Sequence, residues 1–203
     1  MTKRQMGDRL EPGTVIRTAL ELLDEKGLDA LSTRAVADRL GVRMNTVLWH
    51  VKTKARMLEL MADAIVGEIP FDDLPASPDL RAGELARRYR RALLAHRDGA
   101  ALVVGTYAAE PHTLRLAETL VAALLEGGLN EREAAWTTWM ISYFTLGLTQ
   151  EQQAAERRPL DGRLANVVSG TAHPALHRVL DHLSPGSFDE RFEFGLAAIL
   201  ARR

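Results

Sequence analysis

Hydrophobic residues recur at helical spacing along almost the whole chain. The first such segment follows Pro12, stops before Gly27 and carries one apolar face: Val15, Ile16, Ala19, Leu20, Leu22 and Leu23. Proline in the first turn and glycine past the last turn are common helix boundaries. No segment alternates apolar and polar residues as a half-buried strand does. The pattern therefore predicts an all-α protein.

The stretch from Ser32 to Lys54 predicts two short helices packed at a sharp angle. They cover Thr33–Leu40 and Arg43–His50 and are joined by Gly41-Val42. The small Ala37 fits the crossing of the helices, and Gly41 supplies a turn that a Cβ would hinder. The inward positions are Val36, Leu40, Val42 and Val47. This arrangement is typical of a helix-turn-helix, which places its second helix in the major groove of DNA; an ordinary corner between two helices is the alternative.

Apolar faces predict further helices after this motif. They cover, in order, Thr53–Glu68, Pro78–Arg97, Pro111–Glu126, Glu131–Glu156, Pro174–Leu183 and Phe188–Arg203. A short apolar segment, Ala100–Val104, lies between the second and the third. Ser77 is expected to cap the second of these with its hydroxyl, and Asn130 with Glu133 suggests a reciprocal cap. The long helix from Glu131 is apolar on most sides, so it must be buried in the domain or against a partner. Polar residues with Pro159, Gly162 and Gly170 predict a mobile loop over Arg157–Thr171.

The composition narrows the class of protein. A chain of 203 residues with 46% hydrophobic and 26% charged residues is globular, with one or two domains. Residues 1–56 hold 11 Lys/Arg against 7 Asp/Glu, and the remainder holds 15 against 20, as expected for a basic module that contacts a polyanion. With no cysteine, disulfides, thiolate zinc sites and cysteine nucleophiles are excluded. The charged N-terminus, which reads as a basic arm over residues 1–10, predicts no signal peptide and a cytoplasmic location.

The chain resembles the TetR family of transcriptional regulators, and within it the tetracycline repressor subgroup. In the first quarter the matching residues are Ala19–Leu23 (ALELL), Thr33-Arg34, Leu40-Gly41-Val42, Thr46, Trp49–Lys52 (WHVK) and Lys54. In the remainder they are Ala92–Leu94 (ALL), His96–Ala100 (HRDGA), Gly105-Thr106, Phe144–Gly147 (FTLG), Glu151–Gln153 (EQQ) and Phe194–Leu196 (FGL). The resemblance spans nearly the whole chain.

This resemblance implies an all-α homodimer with a DNA-binding domain at 1–54 and a ligand-binding and dimerisation domain at 55–203. The dimer surface is expected from helices near 131–156 and 188–203. Base contacts are expected from Thr33, Arg34, Met44, Asn45 and Thr46. Phosphate contacts are expected from Trp49, His50 and Lys54. The alternative for Trp49 is a core residue that stiffens the motif.

The predicted DNA-reading residues depart from those of the tetracycline repressors. Those repressors carry Gln-Pro where this chain has Met44-Asn45, and Tyr where it has Leu48. Methionine favours contact with a thymine methyl group, whereas Asn45 is suited to a bidentate pair with adenine. The expected operator is therefore palindromic, but it differs from the tetracycline operator.

The predicted ligand pocket departs further. The histidine that ligates magnesium in the tetracycline repressors corresponds to Val103. Two further residues of those repressors bind the polar ring of the drug, and they correspond to Leu85 and, in a loop, to about Pro70. Of the residues that contact the drug in those repressors, only Tyr89, Thr106 and Glu151 remain. The alternative is that Tyr89 and Thr106 are core residues and that the protein has no ligand. The complete expected lining is Leu85, Tyr89, Val103, Thr106, Leu116, Thr119, Leu120 and Glu151. These residues predict a small apolar effector and not magnesium-tetracycline.

Other constellations predict no further chemistry. His173 and His177 lie four residues apart, with Asp181 and His182 one turn on, but a solvent-facing helix gives the same pattern. We expect no metal, no cofactor, no catalytic residues and no membrane partner. The sequence thus predicts a ligand-responsive repressor. The alternatives are an activator or a constitutive DNA-binding dimer without effector, or a small-molecule binding protein whose heads no longer read DNA.

Overall fold

The computed structural model describes residues 10–106, 109–157, 163–183 and 187–201, and all regular structure within these ranges is helical. The elements are α1 (Pro12–Lys26), a 3₁₀ turn (Leu28–Ala30), α2 (Thr33–Leu40), α3 (Met44–Val51), α4 (Lys54–Gly67), α5 (Pro78–Leu94), α6 (Gly99–Val104), α7 (Pro111–Glu126), α8 (Glu131–Arg157), α9 (Arg163–Val167), α10 (Pro174–Leu183) and α11 (Phe188–Leu200). The predicted all-α class is confirmed. Except for Leu10, the predicted basic arm lies outside the described residues.

Helices α1 to α3 form the predicted helix-turn-helix unit, called the head below. The Oγ of Ser32 caps α2 by accepting from the Ala35 backbone N–H at 3.1 Å. Gly41 ends α2 with φ of 66°, a left-handed conformation that favours glycine. A Cβ added at Gly41 would meet no atom within 4 Å, so the backbone angle and not the available space requires glycine here. Arg43 is the N-cap of α3, so this helix begins one residue later than predicted.

Three local predictions need correction. Helix α5 ends at Leu94, three residues before the predicted Arg97, and the chain then turns at Asp98, with φ of 60°, into α6. The Ser77 side chain forms no capping hydrogen bond at the start of α5. Within the predicted loop Arg157–Thr171, residues 163–167 form the short helix α9. This stretch contains neither Pro nor Gly, so none of its residues interrupts a helix. Residues 158–162 lie outside the described ranges. The Asn130–Glu133 cap is confirmed by hydrogen bonds in both directions, 3.2 and 2.9 Å long.

Two hydrophobic clusters meet at α5. The first joins the head to α4, α5 and α6 and includes Leu23, Val36, Met57, Leu93 and Leu102. The second lies among α5, α7, α8 and α11 and contains Leu85, Leu124, Ile141, Phe192 and Leu196. Because the first cluster runs from the head into the core, the head and α4 share one hydrophobic core.

Helix α8 is not buried on all sides within one chain. Trp136, Trp139 and Tyr143 are 57%, 48% and 60% exposed, and Phe194 on α11 is 80% exposed. On its inner side α8 packs closely against α11, since a Cβ at Gly195 would lie 2.2 Å from the Phe144 ring. The apolar outer surface of α8 and α11 therefore remains for a partner. No helix in the described ranges is long and apolar enough to cross a membrane.

Candidate functional site

The exposed face of the head is formed by the start of α2 and by α3. Arg34, Met44 and Asn45 are exposed, and Thr33 and Thr46 are half-buried. Beneath them Val36 and Val47 are fully buried, so the inner sides of both helices are fixed by the core. All five predicted base-contacting residues thus lie on elements whose orientation is set by packing, but their contacts with bases stay predictions.

Trp49 lies on the same face and is 70% exposed. This exposure excludes the alternative that Trp49 is a core residue. Lys52 Nζ donates to the Trp49 carbonyl oxygen at 2.8 Å and lies 5.6 Å from the centre of the indole ring. The ring of His50 meets the indole edge-on, with centroids 4.8 Å apart. Trp49 is therefore at the surface beside two polar residues, and its contact with a phosphate stays a prediction.

Ion pairing separates the basic residues of the head and of the start of α4 into two groups. Arg39 donates to Glu25 at 2.9 Å, and this hydrogen bond lowers the pKa of the Glu25 carboxyl. In the described part of the chain, Arg34, Arg43 and Lys54 are exposed and form no salt bridge. Arg43 was missed by the sequence reasoning, although a basic residue directly before α3 was a visible signal. These three cations remain for a polyanion.

A cavity of about 200 Å³ lies between α4, α5, α7 and α8, next to the end of α6. Its lining is mostly aliphatic and aromatic and carries no charged side chain: Ala62, Val66, Leu85, Ala86, Tyr89, Val103, Thr106, Thr113, Leu116, Ala117, Leu120, Thr138, Trp139, Ile141 and Ser142. It is continuous with an open groove along α8, because six of these residues also line that groove. Such a mostly apolar concavity is typical of a small-molecule site.

The serine and threonine hydroxyl groups of the lining are already engaged as donors. Thr106 donates to the Val103 carbonyl at 3.0 Å, and Ser142 donates to the Thr138 carbonyl at 2.9 Å. Thr138 donates to the carbonyl of Ala134 at 2.9 Å. Burial raises the pKa of the Tyr89 phenol well above its ordinary value, so Tyr89 presents an uncharged hydroxyl. The wall therefore offers oxygen acceptors and no ionic partner.

The structure brings six of the eight predicted ligand-binding residues to this cavity. They are Leu85, Tyr89, Val103, Thr106, Leu116 and Leu120. Two others lie elsewhere: Thr119 donates to the Arg115 carbonyl at 2.8 Å, and Glu151 is exposed on α8. Neither residue is among those that line the cavity of the single chain, so their contacts with a ligand stay predictions.

The sequence reasoning missed the contributions of α4 and α8 to the wall. Ala62 and Val66 come from α4, and Thr138, Trp139, Ile141 and Ser142 come from α8. The apolar face of α4 was visible in the sequence, but nothing in the pattern showed that it faces a cavity. Thr113 was also missed, since it lies at the start of α7 and outside the matched segments.

Comparison with known families covers most of the chain. Residues 15–61 match the family described as "Bacterial regulatory proteins, tetR family", and residues 75–201 match "Tetracyclin repressor-like, C-terminal domain". The chain belongs to the TetR family. The tetracycline repressor protein class A from transposon 1721 of Escherichia coli is 37% identical over 195 residues, which cover 95% of this chain and 89% of that protein.

Solved structures of TetR-family proteins have the same fold. A possible TetR family transcriptional regulator from Streptomyces coelicolor A3(2) is 36% identical, with a TM-score of 0.84 over 94% of this chain and 97% of that one. The S. coelicolor TetR family protein ActR, in complex with actinorhodin, is 29% identical, with a TM-score of 0.84 over 95% of each chain. The resemblance expected from the sequence is thus confirmed.

Proposed function

We propose that this TetR-family protein is a transcriptional repressor that binds a palindromic operator as a homodimer and is released by a small, mostly apolar molecule. The cavity carries this proposal, because its wall includes Ala62 and Val66 of α4. The same helix shares a hydrophobic cluster with the head. A molecule that prefers one position of α4 therefore shifts the population of DNA-competent dimers.

The lining indicates the class of the effector. A charged ligand would lose its hydration in the cavity without gaining an ionic partner, which is strongly unfavourable. Tyr89 and Trp139 supply aromatic surface, and the hydroxyl oxygens accept hydrogen bonds. These features favour an uncharged, ring-containing molecule with hydroxyl or N–H groups. ActR forms a complex with actinorhodin, which supports the proposal that a protein of this fold binds a ligand but does not bear on the ligand's charge.

Magnesium-tetracycline does not suit this cavity. The position expected to correspond to the metal ligand of the tetracycline repressors is Val103, which lines the cavity and has no donor atom. No carboxylate or imidazole lies in the described lining. Magnesium requires oxygen ligands, and carboxylates are usually among them. We therefore propose no metal requirement for effector binding.

The dimer is proposed to form through α8 and α11. The exposed aromatic residues of these helices, Trp136, Trp139, Tyr143 and Phe194, offer an apolar surface that a symmetric contact would cover. Two heads held in this way would dock in successive major grooves. Since operator DNA is in the bacterial cytoplasm, we propose that the protein acts there, as a regulator and not as an enzyme.

Fluorescence anisotropy of a labelled operator, obtained by selection from random duplex DNA, tests this function. Neutral hydroxylated aromatic molecules are titrated against the complex, and tetracycline with magnesium serves as the comparison. We expect release by at least one neutral compound and none by tetracycline with magnesium. Binding of such compounds without any change in operator affinity would contradict ligand-controlled repression and favour a constitutive DNA-binding dimer.

A further inference from the structure

A buried carboxylate of α4 caps a different helix. Asp63 is 6% exposed. Its Oδ1 accepts from the Thr113 backbone N–H and from the Thr113 hydroxyl, each at 2.8 Å, and its Oδ2 accepts from the His112 N–H at 3.4 Å. These N–H groups belong to the first turn of α7, which has no capping hydrogen bond from its own N-cap residue, Glu110. The start of α7 is therefore held by α4.

Two further contacts connect α4 with the start of α7. Arg56 in the first turn of α4 forms a salt bridge with Glu110, directly before α7. At the other end of α4, the ring of His112 packs against Gly67 so closely that an added Cβ would lie 2.9 Å from it. The contacts at residues 56, 63 and 67 span nearly the length of α4 (Lys54–Gly67), so α4 and the start of α7 are expected to move together.

Thr113 also belongs to the cavity wall. It lines both the cavity and the groove that continues from it. Its hydroxyl is directed to Asp63, so one side chain contacts an occupant of the cavity and is hydrogen-bonded to α4. We expect the hydrogen bonds to Asp63 to persist, because a buried carboxylate without hydrogen-bond partners costs several kcal/mol of free energy. A displacement of Thr113 is therefore transmitted to Asp63 and not absorbed locally.

Helix α4 continues this connection into the head. Met57 and Met61 are fully buried in the cluster that contains Val15, Leu22 and Val36 of α1 and α2. Between Met61 and the cavity-lining Ala62 there is only one peptide bond. A shift of α4 consequently changes the packing of the head and of the cavity wall at once.

We propose that Asp63 and Thr113 are the positioning residues through which occupancy of the cavity controls the DNA-binding head. This inference rests on the proposed function. Contact of an occupant with Thr113 moves the start of α7, and the hydrogen bonds to Asp63 carry that movement to α4. Without these bonds the occupant still fits the cavity, but operator affinity responds to it much less.

The test uses a covalent occupant, because the protein has no cysteine. A Ser142→Cys variant places one thiol in the cavity wall, and benzyl methanethiosulfonate converts it to a benzyl disulfide with loss of methanesulfinate. The added group is neutral and apolar, mass spectrometry measures its stoichiometry, and a reductant removes it. Operator affinity is measured for the labelled and unlabelled protein, and their ratio is the response.

The same ratio is measured after adding Asp63→Asn or Thr113→Val. Thr119→Val is the matched control, since this threonine lies on α7 as well but donates to Arg115 outside the cavity. We expect labelling to weaken operator binding about tenfold or more in Ser142→Cys and in the Thr119→Val control, within the usual range of allosteric coupling. In the Asp63→Asn and Thr113→Val variants we expect less than about threefold.

Three outcomes are distinguishable. Equal weakening in all variants would overturn the role of Asp63 and Thr113 while leaving the proposed function intact. Unchanged operator affinity on complete labelling of Ser142→Cys itself would overturn both, because an occupied cavity would then have no influence on the head. A reduced response in both variants supports the proposal only if each remains a folded dimer, and Thr113→Val, which keeps both backbone hydrogen bonds, is the milder of the two.

Discussion

Nδ1 of His96 lies 3.0 Å from the Asp24 carboxylate, so the loop between α5 and α6 is bonded to the last turns of the first helix of the head. The other ring nitrogen of His96 lies 3.0 Å from Glu68, at the end of α4. The Arg97 N–H donates to the same Asp24, also at 3.0 Å. This junction and the shared hydrophobic cluster both connect the head with α4 and with the loop between α5 and α6.

The junction loop depends on Gln153, a buried residue of α8. Its amide donates to the carbonyls of Leu93 and His96 at 3.1 and 2.8 Å and accepts from the Ala100 N–H at 3.2 Å. Gln153→Ala removes all three of these buried hydrogen bonds, although the His96 carbonyl keeps the Gly99 N–H as a donor. We therefore expect a loss of about 1–3 kcal/mol of unfolding free energy. Urea denaturation at fixed protein concentration measures it, with the exposed Gln150→Ala as control. Equal stability of the two variants would contradict this role of Gln153.

Arg34 is expected to read a base, most simply a guanine. Arg34→Met should weaken binding by about 1–3 kcal/mol and relax the base preference at one position of each half-site. Arg39→Met is the matched control on the same helix, because Arg39 is engaged with Glu25 and should change affinity little. Competition between operator variants measures both effects. If Arg34→Met weakened all sequences equally, Arg34 would be a phosphate contact instead.

Lys54 is expected to contact a phosphate, since it is exposed and forms no salt bridge in the described part of the chain. Lys54→Met should weaken binding to all sequences alike. It should also reduce the slope of log affinity against log salt concentration by about one. Operator titrations at several salt concentrations provide the slope, and an unchanged slope would remove Lys54 from the DNA interface.

Tyr89 is expected to stay protonated at pH values where exposed tyrosines ionise. Burial raises the pKa of Tyr89 in the folded state, whereas the pKa of a tyrosine in the unfolded chain is about 10. Its contribution to stability is thus complete below that pH and is lost as the pH rises towards the folded-state value. Near-ultraviolet titration of the native protein should give the same phenolate step near pH ~10 for wild type and Tyr89→Phe. A smaller step in Tyr89→Phe would show that Tyr89 is accessible.

The helix-turn-helix and most helices were predictable because each has local signals. Gly41, the Pro residues at helix starts and the Asn130–Glu133 pair act within a few residues of their own positions. The end of α5 was not predictable, because the loop that follows it is held by contacts with Asp24 of α1, Leu28 of the 3₁₀ turn and Gln153 of α8. Those partners lie far away in sequence.

The candidate cavity was predictable only in part. Leu85, Tyr89 and Val103 were found through matched family segments, and they do line the cavity. Thr113 and Asp63 were not found, since their connection is a hydrogen bond between two helices 50 residues apart. Nothing in the sequence of α4 distinguishes Asp63 from an ordinary solvent-facing carboxylate.

Selection of bound sequences from random duplex DNA by the purified protein tests the central claim most directly. A dimer with two heads predicts an enriched palindrome whose half-sites lie about one helical turn apart. Its bases should differ from the tetracycline operator at the positions read by Met44 and Asn45. An enriched sequence without two-fold symmetry, or no enrichment at all, would contradict the account of a dimeric operator-binding repressor.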